Sequence, residues 1–495
     1  MNVMDPARLR AAALAIAPTE LFVAGRWRPA AGGATFDVHD PANGDVLATV
    51  ASAGPADGMA ALDAAASAQA AWAATPARER SELLRAAFDR LHVLGEEFAA
   101  LMTLEMGKPL ADARAEVTYG AEFVRWYAEE AVRINGRYAA APEGTLRILT
   151  VRRPVGPCLF ITPWNFPLAM ATRKIAPALA AGCTVVLKPA ALTPLTALAF
   201  VRVLEEVGIP AGVVNVLPTA SAGEVTGPLL RDRRLRKLSF TGSTGVGRAL
   251  LRDAADNVLR TSMELGGCAP FIVFDDADLD LAVENAVRTK MRNIGQACNA
   301  ANSFYVQRGV AEAFTARLAE RLGALRSGPG LEPGVEVGPL VSEGARADVD
   351  RLVQDAVAAG AELVTGGRVP AGGGWFYPPT VLGAVPADAA ILGQEVFGPV
   401  APVTVFDTEE EVLARANATD AGLAGYLHTG DLARVLRFAE RLEVGLLGVN
   451  SPAISNAAAP FGGVKHSGLG REGGPEGIEE YLETVYVGLT DPFAG

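Results

Sequence analysis

The stretch from residue 155 to residue 265 limits the possible folds more than any other part of the chain. Short runs that read as strands (VGPCLFITP, CTVVLKP, VVNVLP, KLSFTG and NVLRTSMEL) recur there, separated by segments of helix length and composition. Strands and helices that alternate at this spacing connect by right-handed crossovers and build a parallel sheet. Such a sheet holds its ligand at the carboxyl ends of its strands, so chemistry is expected where these runs end.

A second alternating block starts at APFIVFDD, passes through DLDLAVENAVRTKMRN and the strand SFYVQ, and runs to about residue 465. Asp276 and Asp278 are candidate N-caps for its first helix, and Leu279, Val283, Val287 and Met291 recur every four positions as a buried stripe. Cys298 then falls on the loop that leaves this helix. Ahead of both blocks, LFVAGRWRP and ATFDVHDPANGDVLATV read as short strands, and Ala- and Leu-rich helices follow. Residues 137–154, RYAAAPEGTLRILTVRRP, read as a projecting hairpin. The last run, EEYLETVYVGL, reads as a strand with no local partner, which invites pairing with another subunit. The expected fold class is therefore α/β, and 495 residues suffice for about three structural units.

A formal charge of -12 without any basic stripe argues against nucleic acid and against an acidic membrane surface. No segment approaches the roughly 18 uninterrupted apolar residues of a membrane span, and the first 20 residues read as a short surface helix. The four cysteines stand singly and the four histidines are scattered, so neither a zinc site nor a disulfide framework is indicated. A reducing, cytoplasmic setting fits.

Four stretches supply matching chemical parts: ITPWNFP around Asn165, FTGSTGVG around Gly242 and Ser243, MELGGC around Glu264, and GQAC at Cys298. A thiolate at Cys298 is a nucleophile for a carbonyl carbon. The resulting oxyanion needs fixed donors, which the Asn165 amide and the Cys298 backbone N–H can supply. Glu264 is the candidate acid–base group. FTGSTGVG ends a strand and opens a helix, so its N–H groups and the Ser243 hydroxyl can face a phosphate.

With PWNFP, KPA, FTGST, MELGG, GQAC, EVFGP and PFGGVKHSGLGRE in this order, the chain from about residue 20 to its C-terminus resembles the aldehyde dehydrogenase superfamily. The resemblance implies two parallel-sheet domains and a small β flap. Residues 1–134 and 155–265 would bind cofactor, 266–465 would carry catalysis, and 135–154 with 480–495 would mediate oligomerisation as a homodimer or homotetramer. It also implies roles for single residues. Cys298 matches the nucleophile, Asn165 the oxyanion amide and Glu264 the general base. Thr162, Pro163, Trp164, Lys188, Ala191, Gly242, Ser243, Leu265, Glu395 and Phe397, with Glu264, match the cofactor cleft. No metal is implied.

The implied activity is NAD- or NADP-dependent oxidation of an aldehyde to a carboxylic acid through a thiohemiacetal and a thioester. Arg173, Arg292 and Ser455 are similar to the carboxylate-holding residues of succinate-semialdehyde dehydrogenases, so succinate semialdehyde is the expected substrate. Another short or aromatic aldehyde stays open, with Thr118 to Tyr127 as the tunnel segment that would decide it, and so does a catalytically silent homologue. Ala191 stands where NAD-preferring relatives carry a glutamate, which removes a repulsion against a 2′-phosphate and predicts tolerance of NADP. Asn299 and Ala300 offer no second cysteine for a redox switch, and Cys268 and Ser303 have no functional reading at this level.

Overall fold

The computed structural model describes residues 5–493. The alternating runs of the first block become five parallel strands, lying in the order Val214–Val216, Val185–Lys188, Cys158–Ile161, Lys237–Thr241 and Arg260–Glu264. The strand order reverses between Cys158–Ile161 and Lys237–Thr241. There the loops leaving two neighbouring strands part to opposite sides and open a crevice. Leu21–Val23 and Arg26–Arg28 extend one edge antiparallel, and Gly468–Leu469 returns late in the chain to pair with Met263 and Glu264 at the other.

The second block forms a seven-stranded sheet whose central strands Val400–Phe406, Ala301–Gln307 and Ala269–Val273 are parallel. Its first helix, Leu279–Met291, is capped by Asp278, whose carboxylate accepts from the Leu281 N–H at 3.0 Å. Asp276 is not a cap; its carboxylate takes the Thr429 hydroxyl and the Arg434 guanidinium instead. Val283, Val287 and Met291 are buried as the periodicity requires.

Helix Pro167–Ala181, which follows the crevice, is buried at all fifteen positions. Pro167 presets its first turn and Gly182, at φ 94°, ends it. Its open N–H groups at Leu168 and Ala169 donate to the Glu116 carboxylate at 3.0 and 3.1 Å, so a side chain from a distant helix caps it.

The hairpin Arg137–Ala140 with Leu146–Pro154 forms as expected. The expectation that the C-terminal strand lacks a partner in its own chain is overturned: Leu482–Thr490 pairs along its whole length with Leu146–Pro154. The longer hairpin strand carries backbone groups on both edges, and the returning chain end satisfies the outer row. Among the described residues, no helix is long and apolar enough to cross a membrane.

Candidate active site

The crevice at the strand-order reversal holds a cavity of about 210 Å³. Ten residues singled out in the sequence line it. Pro163, Trp164 and Asn165 follow one strand; Gly242 and Ser243 follow its neighbour; Glu264, Leu265, Cys298, Glu395 and Phe397 complete the wall. Met170, Thr241 and Gly266 join them without having been expected.

The turn that presents Cys298 is strained. Asn293, Ile294 and Gly295 have φ of 55°, 61° and 74°, in the left-handed region that a β-branched residue such as Ile294 disfavours. Each such non-glycine residue costs about 1–3 kcal/mol and persists only where its surroundings dictate it. Here the Asn293 N–H donates to Asp112 at 2.9 Å, its side-chain amide donates to the carbonyls of Asn165 and Gln296, and the Val341 N–H donates to the Gln296 side chain. Gly295 packs so tightly that a Cβ would lie 2.1 Å from the Gly398 carbonyl oxygen. The nucleophile turn is thereby locked against the loop bearing Glu395 and Phe397.

Asn165 is held from every side. Its Nδ2 donates to the Gln296 carbonyl at 3.0 Å, its Oδ1 accepts from the Phe166 N–H at 3.1 Å, and its own carbonyl accepts from Lys108 Nζ at 2.8 Å. Lys108 is fully buried, ion-pairs with the buried Glu116 and lies over the Phe166 ring. One amide N–H of Asn165 remains for an oxyanion.

Glu264 is the opposite case. It is only 4% exposed, yet neither carboxylate oxygen has a hydrogen-bond partner. Burial, reinforced by the charge of Glu472, raises its pKa well above the usual carboxylate range, against the pull of Arg173, Lys174 and Arg471. Glu472 is itself buried, but Lys174 at 2.5 Å and Arg173 at 2.8 Å keep its pKa low. Desolvation of the Cys298 sulfur pushes its thiol up to about 12, although Arg173 and Arg292 favour the thiolate. Cys298 is half-buried at the cavity wall, and there its thiol holds its proton.

The phosphate-facing elements are unspent. Ser243 is the N-cap residue of helix Thr244–Ala255, but its hydroxyl makes no capping bond, and a Cβ at Gly245 would meet nothing within 4 Å. The buried Thr241 hydroxyl beside them has no partner. These open donors fit a dinucleotide phosphate at a helix N-terminus. Trp164 and Phe397 meet edge to face, 5.5 Å between centroids, at the inner end. Burial pushes Glu395 up to about 7, and its carboxylate accepts from the Gly267 N–H. Lys188, lowered to about 8 by burial, ends its strand with its carbonyl accepting from Thr162 N–H, and Ala191 lies half-buried in the turn beyond.

The two arginines separate. Arg173 is 2% exposed, ion-paired with Glu472 and stacked 4.2 Å over Phe461, and its Nε and Nη2 have no hydrogen-bond partner. Arg292 lies over the rings of Tyr119 and Phe166 and donates to the Ser455 hydroxyl at 3.3 Å. Within the segment expected to line the tunnel, Thr118 is exposed and bonded to its own helix and Tyr127 is fully buried; Tyr119 is the residue that meets Arg292. Ser303 gains a role: its hydroxyl donates to the Leu392 carbonyl, while Asn302 ties down Gln394 and Val396, so this strand anchors the Glu395 loop. Cys268, pushed up to about 12 by burial, donates to the Gly393 carbonyl.

Lys108, Glu116, Asn293 and Glu472 were not singled out from sequence. The signal available was weak: GKP followed by an acidic residue on the next helix, and the closing Glu of LGRE. Residues 27–487 match the model of the aldehyde dehydrogenase family. The chain is 61% identical to a succinate-semialdehyde dehydrogenase of Paenarthrobacter nicotinovorans over 90% of its own length and all of that protein. It is 50% identical to a glutarate-semialdehyde dehydrogenase of Pseudomonas aeruginosa, covering 95% of this chain and 97% of that one. A crystal structure of an NADP-dependent enzyme of E. coli superposes with a TM-score of 0.95 at 47% identity, covering 96% of this chain and 99% of that one.

Proposed function

The chain belongs to the aldehyde dehydrogenase family, and from that premise we propose that it oxidises succinate semialdehyde to succinate with NADP or NAD. The observation that carries the substrate is the Arg292–Ser455 pair, a guanidinium and a hydroxyl set side by side near the nucleophile with aromatic rings behind them. Such a pair recognises a carboxylate at the far end of a short aldehyde. Arg173 adds positive charge beside Phe123; it is ion-paired with Glu472, while its Nε and Nη2 have no hydrogen-bond partner.

In this reading the Cys298 sulfur bonds the aldehyde carbon as its proton leaves to solvent, and Glu264, whose burial makes its ionised form a strong base, acts in the later step. The free N–H of Asn165 and the Cys298 backbone N–H steady the oxyanion. A nicotinamide dinucleotide, held by Ser243, the N–H groups of the following helix, Lys188, Glu395 and Phe397, would supply the two-electron acceptor. The thioester left on Cys298 is then opened by water, with Glu264 taking the water's proton. Thr162, Pro163, Trp164 and Leu265 shape the apolar walls. Ala191 carries no carboxylate to repel a 2′-phosphate, which favours NADP tolerance.

The division into a cofactor-binding unit (1–134 and 155–265) and a catalytic unit (266–465), as well as a homo-oligomer, belongs to the same proposal. Oligomerisation is supported by the exposed Tyr138, Tyr486 and Phe493 on and beside the three-stranded sheet. The test of function is kinetic: kcat/KM for succinate semialdehyde should exceed that for butanal by about 100-fold, the worth of one or two charge-assisted bonds, and Arg292→Leu should remove the difference. Equal values for both aldehydes in the unmutated enzyme would contradict the substrate assignment.

A further inference from the structure

We propose that Asn299, the residue immediately after the nucleophile, is a specificity-determining positioning residue that aims the Ser455 hydroxyl at the far end of the substrate. The inference rests on the carboxylate reading above. Asn299 is 5% exposed, and its backbone carbonyl accepts from the Tyr426 hydroxyl at 2.7 Å, which fixes the residue against the second sheet. Its side-chain Nδ2 donates to Ser455 Oγ at 3.1 Å. Arg292 Nη1 donates to the same oxygen at 3.3 Å.

A serine oxygen accepts two hydrogen bonds and donates one. With both acceptor positions filled by Arg292 and Asn299, the only role left to Ser455 is to donate, and no acceptor among the described residues takes its proton. A hydroxyl forced to donate, next to a guanidinium, favours an anionic acceptor over an uncharged or donor group. A site built in this way discriminates more strongly than an apolar pocket does, because an uncharged substrate leaves polar groups unpaired. Asn299 thus lets the nucleophile's own turn influence which aldehydes reach it.

The experiment compares kcat and KM for succinate semialdehyde and butanal, at saturating NADP, in the unmutated enzyme and in Asn299→Val, Asn299→Asp, Ser455→Ala and the Asn299→Val/Ser455→Ala double variant. Asn299→Val should lower the ratio of the two kcat/KM values about tenfold, the worth of one hydrogen bond, through a raised KM for the anionic aldehyde. Asn299→Asp, nearly the same shape but an acceptor, should take the Ser455 proton and lower the ratio further. The double variant should be no less selective than Ser455→Ala alone, because both act through one hydroxyl. Wild-type selectivity in Asn299→Asp, or additive losses in the double variant, would overturn this inference while leaving the carboxylate reading intact. An unmutated enzyme without selectivity would overturn both.

Discussion

Asn165 and Glu264 face the same cavity from strand ends two places apart in the sheet, and their surroundings are opposites. Both side-chain polar atoms of Asn165 are engaged, with one amide hydrogen left over, and its backbone carbonyl is anchored by the fully buried Lys108 of the Lys108–Glu116 pair and by Asn293. Both oxygens of Glu264 are unpartnered. A group whose task is to hold a direction needs redundant bonds, because an oxyanion donor gains its effect from being fixed before charge develops. A group whose task is to take and release a proton needs the reverse: fixed donors would stabilise its anion and weaken it as a base.

Four experiments test that contrast. The largest effect is expected on the proton-handling side. Glu264→Gln keeps the shape but cannot take a proton, so steady turnover should fall by about 10²–10⁴-fold, with a rapid first burst of reduced cofactor surviving. Unchanged steady turnover would remove Glu264 from the mechanism. On the directional side, Asn165→Ala should lower kcat by about 10²–10³-fold and abolish the burst as well, because attack itself is slowed; a surviving full burst would show that the oxyanion is held elsewhere.

Lys108→Met attacks the anchor instead of the amide. Leaving Glu116 charged and buried without its partner should lower unfolding stability by about 3–5 kcal/mol in denaturant titration. A stability loss below about 1 kcal/mol would mean the pair does not hold this region. The fourth experiment varies pH. With the Cys298 thiol raised to about 12, its folded protein should be alkylated by iodoacetamide at a rate rising about tenfold per pH unit from 7 to 10, following the thiolate fraction. A plateau above pH 8 would place the thiol far lower.

The sequence revealed the fold where the determinants were local. The strand runs from 155 to 265 declared a parallel sheet, and from that alone the ligand crevice could be placed at the strand ends that carry Asn165 and Ser243. Pairings set by distant residues were hidden. Arg173 reads as an available cation until Glu472, almost three hundred positions later, is folded against it. The last strand has no partner in its neighbourhood because that partner lies at Leu146–Pro154. The left-handed turn at Asn293 and Ile294 was invisible for a different reason: isoleucine is among the residues least suited to positive φ, and only the surrounding bonds impose it.

In this mechanism Cys298 carries the substrate as a thioester that Glu264 helps to resolve. Mass spectrometry of Glu264→Gln, mixed with succinate semialdehyde and NADP and quenched within the burst, tests it directly. One succinyl group on the peptide containing Cys298, absent when NADP is omitted, is the expected result. A burst of reduced cofactor with that peptide unmodified would contradict the account.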